Sequence, residues 1–306
     1  MAMLEAFRDL CSKYSYDVLS GAPMSQGRYS LVHVAYRKKP ANEKAVLKCI
    51  VKNRRDESTG DIEWNCLHEA KMLEKLDHEN IIKLYSYFES EHFVVMELEF
   101  EHQGNLREHV HKYHSLSETE CNRLIKEVVS AVSYLHAIDI VHRDLKCSNV
   151  VLCCCSFVRT KLIDFEFSKD ISLDKFRGDA QPHTFCGSPT YAAPQLLDFV
   201  TCDLKAADVW AIGVMLFFML TETFPFGSGD VKSVRKKIRG GPFWPLGKSI
   251  SDQCKEVVMS ALTVDEDNRA TIQMFEENSW VSAYNGPNCV AAKEISEAAI
   301  NSSWHH

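Results

Sequence analysis

A polar loop at residues 142–149 lies between apolar residues on both sides. Within it stand Asp144, Lys146 and Asn149, which are a carboxylate, a cation and an amide. An aspartate can accept the proton of a hydroxyl group, a lysine can hold a phosphate oxygen, and an asparagine can bind a metal ion. These residue types at this spacing predict phosphoryl transfer. Each residue alone is equally compatible with a surface ion pair or the start of a turn, so the prediction depends on partners elsewhere in the chain.

Length and composition are those of an ordinary soluble globular protein, with 306 residues, 45% hydrophobic and 25% charged. This length accommodates one large domain or two lobes. A net charge of −7 gives no reason to expect nucleic acid or an anionic membrane as a main partner. No apolar run approaches the roughly 20 residues that span a bilayer, and the charged first residues do not resemble a signal peptide.

The twelve cysteines indicate free thiols rather than a disulfide framework. They are scattered, three are consecutive at 153–155, and disulfide-rich scaffolds are typical of short secreted chains. No Cys-x-x-Cys unit is present, so we do not expect a zinc site. We therefore expect reduced thiols in the cytoplasm or the nucleus.

Apolar periodicity predicts mainly strands before about residue 99 and mainly helices after it. The predicted strands are residues 32–36, 45–51, 81–87 and 92–98, and a first helix is predicted for residues 62–76. A second helix opens at residues 104–106, a long one runs from its N-cap Ser117 to His136, and an apolar one covers 208–219. The change of pattern predicts a lobe boundary near residue 99.

Lys48 is a single cation in the otherwise apolar strand 45–51. A buried charge is costly unless it is paired, so we expect an anionic partner. Glu69, on the helix predicted for residues 62–76, is the candidate. A surface position for Glu69 is the alternative, since the same helix carries two other glutamates.

The loop at residues 142–149 matches the protein-kinase catalytic loop H-R-D-L-x-x-x-N. The other functional residues of that family follow in the same order, as Lys48, Glu69 and, after the loop, Asp164. The chain therefore resembles a eukaryotic protein kinase. The resemblance implies an α+β, bilobal fold with a small, mostly β N-lobe and a larger, mostly α C-lobe. The implied limits are 16–98 for the N-lobe, 99–281 for the C-lobe, 1–15 for an N-terminal extension and 282–306 for a C-terminal tail.

The subtype is indicated by Lys146, since a lysine two residues after the catalytic aspartate is typical of serine/threonine kinases. Residues 142–149, together with 167–169, resemble the testis-specific serine/threonine kinases of the calmodulin-dependent kinase group. This resemblance implies a role in male germ-cell development.

The resemblance also implies the catalytic roles, with ATP and Mg²⁺ as cofactors. Asp144 would accept the proton of a substrate Ser or Thr hydroxyl, and Lys146 would neutralise the transferring phosphoryl group. Asn149 and Asp164 would bind Mg²⁺. Such catalysis consists mainly of positioning and charge stabilisation.

ATP would be held by Lys48, braced by Glu69, and by a hairpin over the phosphates. Met96 would lie behind the adenine, and backbone groups near Glu97 and Leu98 would meet its edge, although all three have an equally good interpretation as core strand residues. The hairpin residues are Met24, Ser25, Gln26, Gly27, Arg28, Tyr29, Ser30, Leu31 and Val32.

Thr184 would be a regulatory phosphorylation site whose phosphate pairs with Arg143, which implies an upstream kinase. Ser188 would contact the catalytic loop from the substrate side. The alternative is that Thr184 merely caps a turn.

Four positions depart from the kinase pattern. Ser25 and Ser30 replace glycines of the phosphate loop, Glu166 replaces the glycine of D-F-G, and Gln195 replaces the glutamate of A-P-E, the family partner of Arg269. We expect restricted rearrangement around Asp164 and a less stable substrate lobe.

Two further positions concern the substrate. Ser148 stands where many kinases that prefer basic substrates carry a glutamate, and Asn105 is also uncharged. We therefore do not expect a strong preference for basic substrates.

Three functions remain open at this point. An active kinase would act on Ser or Thr in protein substrates, in the cytoplasm or the nucleus. A pseudokinase would keep the fold and act by contacting partners, and the four departures favour it. A small-molecule kinase is the third, although residues 184–195 resemble a segment for polypeptide substrates. The sequence specifies no oligomeric state.

Overall fold

A computed structural model describes most of the chain. The described residues are 2–19, 23–27, 30–38, 43–52, 66–101, 103–154, 158–172 and 188–283. They form two compact units, and the chain passes between them more than once. The first unit comprises Met1–Asp77 and Ile82–Phe100, and the second comprises His78–Ile81 and Glu101–His306. The predicted domain limits, 16 and 281, stay a prediction.

The first unit is built on a six-stranded antiparallel sheet in the order β1-β3-β4-β6-β5, with β2 paired to β3. Alternating and β-branched residues produce these strands, since such side chains fit a pleated surface. Its elements are α1 (Ala2–Lys13), β1 (Tyr16–Val18), β2 (Ser25–Gln26), β3 (Ser30–Arg37), β4 (Glu43–Val51), α2 (His68–Leu73), β5 (Leu84–Glu89) and β6 (Phe93–Leu98).

The helix α1 was not predicted, because the sequence indicated only an N-terminal extension for residues 1–15. Phe7 and Cys11, four residues apart on one helix face, are both buried in the core of the sheet. The ring of Phe7 lies 5.5 Å from that of His33. Tyr14, just after the helix, stacks on Phe88 with the ring centroids 4.1 Å apart. The extension therefore contributes to the core of this unit.

The helix α2 is shorter at its end than predicted. It stops at Leu73 instead of residue 76. The amides of Lys75 and Leu76 instead bond to carbonyls three residues back, at 3.1 Å, which is a tightened turn. The predicted start at residue 62 lies outside the described residues.

The second unit is mainly helical, as expected after residue 99. Its elements are α3 (Leu106–Tyr113), α4 (Glu118–Ala137), β7 (Ile140–Val141), the 3₁₀ helix η1 (Cys147–Asn149), β8 (Val150–Cys154), β9 (Val158–Leu162), β10 (Lys169–Asp170), η2 (Pro189–Tyr191), α5 (Pro194–Leu197), α6 (Leu204–Thr221), α7 (Val231–Ile238), α8 (Asp252–Ala261), η3 (Glu266–Asn268), α9 (Ile272–Glu277) and α10 (Ser279–Ser282). Two short two-stranded sheets, β7 with β10 and β8 with β9, flank the 3₁₀ helix η1 in sequence.

The predicted N-cap at Ser117 is present, and the helix expected to open at residues 104–106 begins after a second N-cap, Asn105. The side chain of Ser117 accepts a hydrogen bond from Glu120 N at 3.3 Å and begins α4. Asn105 begins α3 with a capping box, because its side chain accepts from Glu108 N at 3.0 Å and Glu108 Oε2 accepts from Asn105 N at 3.1 Å.

The helix α6 forms the centre of the second unit. Among the described residues it is the one helix whose length and composition would allow it to cross a membrane. Within the protein 89% of it is buried, against α4, α8 and α9. A helix that is apolar on all of its faces is typically buried, and the burial of α6 identifies it as a core helix of the second unit.

Arg269 donates hydrogen bonds to three segments of the second unit. It is 4% exposed, and its guanidinium donates to Thr263 O at 2.9 Å and Ala206 O at 3.0 Å. It also donates to Gln195 Oε1 at 3.0 Å, the contact expected from the sequence. Burial lowers the pKa of Arg269. Gln195 in turn donates its amide to Val264 O at 2.7 Å, so the replacement of glutamate keeps a hydrogen bond and loses a counterion.

The packing of α1 predicts that Phe7→Ala lowers the free energy of unfolding by about 3–5 kcal/mol, because truncating a fully buried phenylalanine leaves a cavity. Urea denaturation of the full chain measures this. Asp9→Ala, on the exposed face of the same helix, should change it by less than about 0.5 kcal/mol. Equal, small effects of both substitutions would show that α1 does not belong to the core.

The contacts of Arg269 predict that Gln195→Glu raises the melting temperature. A charge-assisted bond to Arg269 contributes about 1.5–3 kcal/mol, whereas the lost amide bond to Val264 contributes about 0.5–1.5 kcal/mol. Gln195→Ala removes both bonds and should lower the melting temperature. A lower melting temperature for Gln195→Glu than for the wild type would contradict this account.

Candidate active site

Lys48 and Glu69 form a buried ion pair in the first unit. The Lys48 Nζ atom lies 2.8 Å from Glu69 Oε1 and 2.7 Å from Oε2. Lys48 is 8% exposed and Glu69 3%. A buried cation of this kind needs its counterion, since an unpaired charge in the same place would be strongly destabilising. The predicted contact between Lys48 and Glu69 is therefore present, and the alternative prediction, a surface position for Glu69, is wrong.

Three predicted nucleotide residues form one row across the sheet. Lys48 on β4 is in register with Val32 on β3 and with Met96 on β6. Residues in register on neighbouring strands present their side chains to the same face. The cation and the two apolar side chains therefore share one face of the sheet, which suits a ligand with a flat apolar part and an anionic part.

The predicted phosphate loop is a tight hairpin. Ser25 pairs with Val32 and Gln26 with Leu31, and Gly27 N donates to Ser30 O at 2.9 Å. Met24 N donates to Val32 O at 2.8 Å. The predicted residues Arg28 and Tyr29 lie outside the described residues. The small residues at the loop positions keep the backbone accessible, although two of the three glycines of the pattern are serines.

Glu97 and Leu98 lie at the end of β6, between β4 and β5. The carboxylate of Glu97 accepts from Arg37 Nε at 3.0 Å and from Ser86 Oγ at 2.9 Å. Its side chain is thus occupied by a buried network of the first unit. The predicted role at the adenine edge was assigned to the backbone of these residues and stays a prediction.

In the second unit Asp144, Lys146 and Asn149 converge. Lys146 Nζ lies 2.6 Å from Asp144 Oδ2. Asn149 Nδ2 donates to the same oxygen at 3.0 Å and to Asp144 O at 2.9 Å. The carboxylate is 5% exposed and is oriented by a cation and an amide. Such a carboxylate can accept a proton from a hydroxyl group in a fixed position.

Asp208, on α6, anchors this loop and was missed as a site residue. Its carboxylate accepts from His142 N at 3.0 Å, from Arg143 N at 2.9 Å and from His136 Nε2 at 3.0 Å. Burial alone raises the pKa of Asp208, but the bond from His136 and the charges of His136 and His142 outweigh it, and the pKa lies below its ordinary value. A lone carboxylate in an apolar helix, as here, is the sequence signal that could have revealed this anchor.

Two residues of the site have a left-handed backbone. Arg143 has φ 68° and Asp164 has φ 67°. Such conformations cost about 1–3 kcal/mol each in residues other than glycine and persist where the surroundings impose them. At Arg143 the left-handed backbone is held by the hydrogen bonds that His142 N and Arg143 N donate to Asp208. Glu166 has no left-handed backbone, so the side chain at this former glycine position adds no strain of that kind.

The strand that leads to Asp164 is bonded to the catalytic loop. Ile163 N donates to Asn149 O at 2.9 Å, and His142 Nε2 donates to Ile163 O at 3.1 Å. The ring of Phe165 is fully buried and lies edge-on against His142, with the centroids 4.9 Å apart. The backbones that carry Asn149 and Asp164 are therefore joined.

The site has the oxygen donors that Mg²⁺ prefers. Asn149 uses its amide nitrogen for Asp144, which leaves its carbonyl oxygen as the atom able to bind a cation. Asp164 adds a carboxylate. Two protein oxygens with substrate phosphates are a typical environment for this ion, so Asn149 and Asp164 fit it.

The second unit contains a cavity next to Asp144. Ser188, Tyr191 and Arg143 line it together with Asp144. The predicted contact of Ser188 with the catalytic loop from the substrate side stays a prediction. Thr184 lies outside the described residues, and its regulatory role stays a prediction.

The chain is similar in sequence to known kinases. Residues 20–281 match the protein kinase domain family. Testis-specific serine/threonine-protein kinase 1 of Homo sapiens is 32% identical over 90% of this chain and 75% of its own length. Testis-specific serine/threonine-protein kinase 3 of Mus musculus is 33% identical over 86% of this chain and 95% of its own length.

Another relative is much longer than this chain. The probable serine/threonine-protein kinase MARK-A of Dictyostelium discoideum is 31% identical over 85% of this chain but only 24% of its own length. The family match agrees with the α+β fold. The chain belongs to the protein kinase family and is of the serine/threonine type.

Proposed function

We propose that this kinase transfers the γ-phosphoryl group of Mg-ATP to Ser or Thr hydroxyls of protein substrates. The observation that carries the proposal is the buried Asp144 carboxylate, which Lys146 and Asn149 orient. The substrate oxygen forms a bond to the γ-phosphorus as the bond to the ADP oxygen breaks. The hydroxyl proton passes to Asp144.

The remaining residues supply charge and position. Lys146 neutralises the transferring phosphoryl group, and Lys48, held by Glu69, orients the ATP phosphates. Bound Mg²⁺, held by Asn149 and Asp164, would offset the negative charge of the phosphates. Charges fixed in advance need no reorganisation during the reaction, which is the main source of catalysis in such a site.

The rival function is that of a pseudokinase scaffold. This function is favoured by three departures from the kinase pattern, at Ser25, Glu166 and Gln195. Against it, a scaffold has no need of an ion pair at Lys48 together with an oriented Asp144. The same assay separates the two, since a scaffold would bind partners without phosphoryl transfer.

Regulation is proposed to act through Arg143. This residue is half-buried, precedes Asp144, and has its guanidinium 3.5 Å from Phe167 O. A phosphate on Thr184 would pair with the guanidinium of Arg143 and so link Thr184 to the catalytic loop. An upstream kinase would add this phosphate. A role in male germ cells is proposed from the similarity to testis-specific kinases. A cytoplasmic or nuclear location is proposed from the cysteine pattern, which favours reduced thiols.

The orientation of Asp144 predicts that Asp144→Asn lowers kcat by roughly 10²–10⁴-fold, because the proton acceptor is lost. Transfer of labelled phosphate to a generic protein substrate measures this. Thermal stabilisation by Mg-ATP should remain, and Asp252→Asn, an exposed aspartate on α8, should keep full activity. Normal transfer by Asp144→Asn would show that this aspartate is not the proton acceptor.

The proposed regulation predicts that Thr184→Ala lowers kcat/KM by roughly tenfold, since one charge-assisted hydrogen bond is worth about 1.5 kcal/mol or more. Phosphopeptide mapping of the active wild-type protein should find phosphate on Thr184. Thr201→Ala, at an exposed position, is the matched control. An unmodified Thr184 in active protein, together with a fully active Thr184→Ala, would remove the regulatory role.

A further inference from the structure

The helix α7 carries a strongly basic surface in a chain whose net charge is −7. Five cations lie between residues 232 and 239, and all are exposed. Val234 and Ile238, on the other side, are buried and hold the helix on the protein. We name the exposed cations the α7 basic patch. It consists of Lys232, Arg235, Lys236, Lys237 and Arg239.

The patch is largely without counterions. Arg235 forms an ion pair with Asp198. Within the parts of the chain that the structure describes, none of the other four cations forms an ion pair with an acidic side chain. Cations in the last turn of a helix are favoured by its dipole, but Lys232 lies in the first turn, where the dipole disfavours it. The helix dipole therefore accounts for Arg235, Lys236 and Lys237 in the last turn but not for Lys232.

The position of the patch connects it to the proposed substrate site. The helix α7 packs against η2, which directly follows Ser188. Ser188 and Tyr191 line the cavity that also contains Asp144. All of these residues belong to the second unit. The α7 basic patch therefore belongs to a helix that contacts η2, the segment next to Ser188.

Two positions that bear on substrate charge carry no acidic side chain. Ser148 is half-buried and uncharged. The side chain of Asn105 is uncharged and is committed to the capping box of α3. The exposed charges of α7 are by contrast mainly positive.

We infer that this kinase selects acidic protein substrates, whose Asp and Glu side chains bind the α7 basic patch. The inference rests on the proposed function, since it names the substrate class of the same site. Exposed ion pairs are individually weak and are screened by salt, so the preference arises from several contacts together. It should be expressed in KM more than in kcat, because the patch does not touch the reacting atoms.

Two serine peptides that differ only in their flanking residues, glutamates in one and lysines in the other, test the preference. We expect kcat/KM to be roughly three- to tenfold higher for the acidic peptide at low salt, with the difference shrinking as salt rises. In Lys232→Glu/Lys236→Glu the preference should disappear or reverse. The milder Lys232→Gln/Lys236→Gln should reduce it.

The matched control carries the same change of net charge elsewhere. Lys13→Glu/Lys83→Glu alters two exposed lysines of the first unit and should keep the wild-type preference. A neutral serine peptide should be phosphorylated equally by all variants, which shows that each is folded and active. Equal rates for acidic and basic peptides with the wild type, or the same loss in the control variant, would overturn the inference.

A binding experiment separates this inference from the proposed function. A fluorescein-labelled glutamate-rich peptide should bind the full-length Asp144→Asn protein, and Lys232→Glu/Lys236→Glu in that background should weaken binding roughly three- to tenfold. Absence of phosphoryl transfer to every substrate would remove the proposed function but leave this measurement intact. No binding of the acidic peptide, or binding of single-stranded RNA or anionic vesicles through these lysines instead, would overturn the inference.

Discussion

The catalytic loop depends on one buried carboxylate, Asp208. It accepts hydrogen bonds from two successive backbone amides and from His136. Bonds to a charged group contribute about 1.5–3 kcal/mol each, enough to offset the left-handed backbone at Arg143. The backbone at the next residue, Asp144, is therefore held in a fixed position. Asp144 is thus held through Asp208 by α6, the buried core helix of its unit.

In the first unit a sheet holds the buried cation Lys48 in place. Lys48 lies on the central strand β4 between Val32 and Met96, and Glu69 supplies its counterion. The opposite face of the sheet is covered in part by α1, through Phe7 and Cys11. A buried ion pair is favourable only when its geometry is held, so the covering of both faces contributes to the pairing of Lys48.

Charge is distributed with a clear division in the second unit. Asp144 lies in the catalytic loop, Asp208 anchors this loop, and Asp164 follows the segment that is bonded to it. The α7 basic patch lies on a helix that contacts η2. A substrate rich in carboxylates would be attracted by this patch and repelled by much of the remaining surface, which favours one orientation of binding.

The sequence by itself determined the candidate site residues and the local elements around them. Asp144, Lys146 and Asn149 are close in sequence, and the cap at Ser117 is indicated by Glu120 three residues later, so local patterns suffice for both. Tertiary structure alone decided the anchoring by Asp208, the left-handed backbone at Arg143 and Asp164, and the burial of α1. Each depends on partners tens of residues away, and contacts at that distance are set by packing rather than by local periodicity.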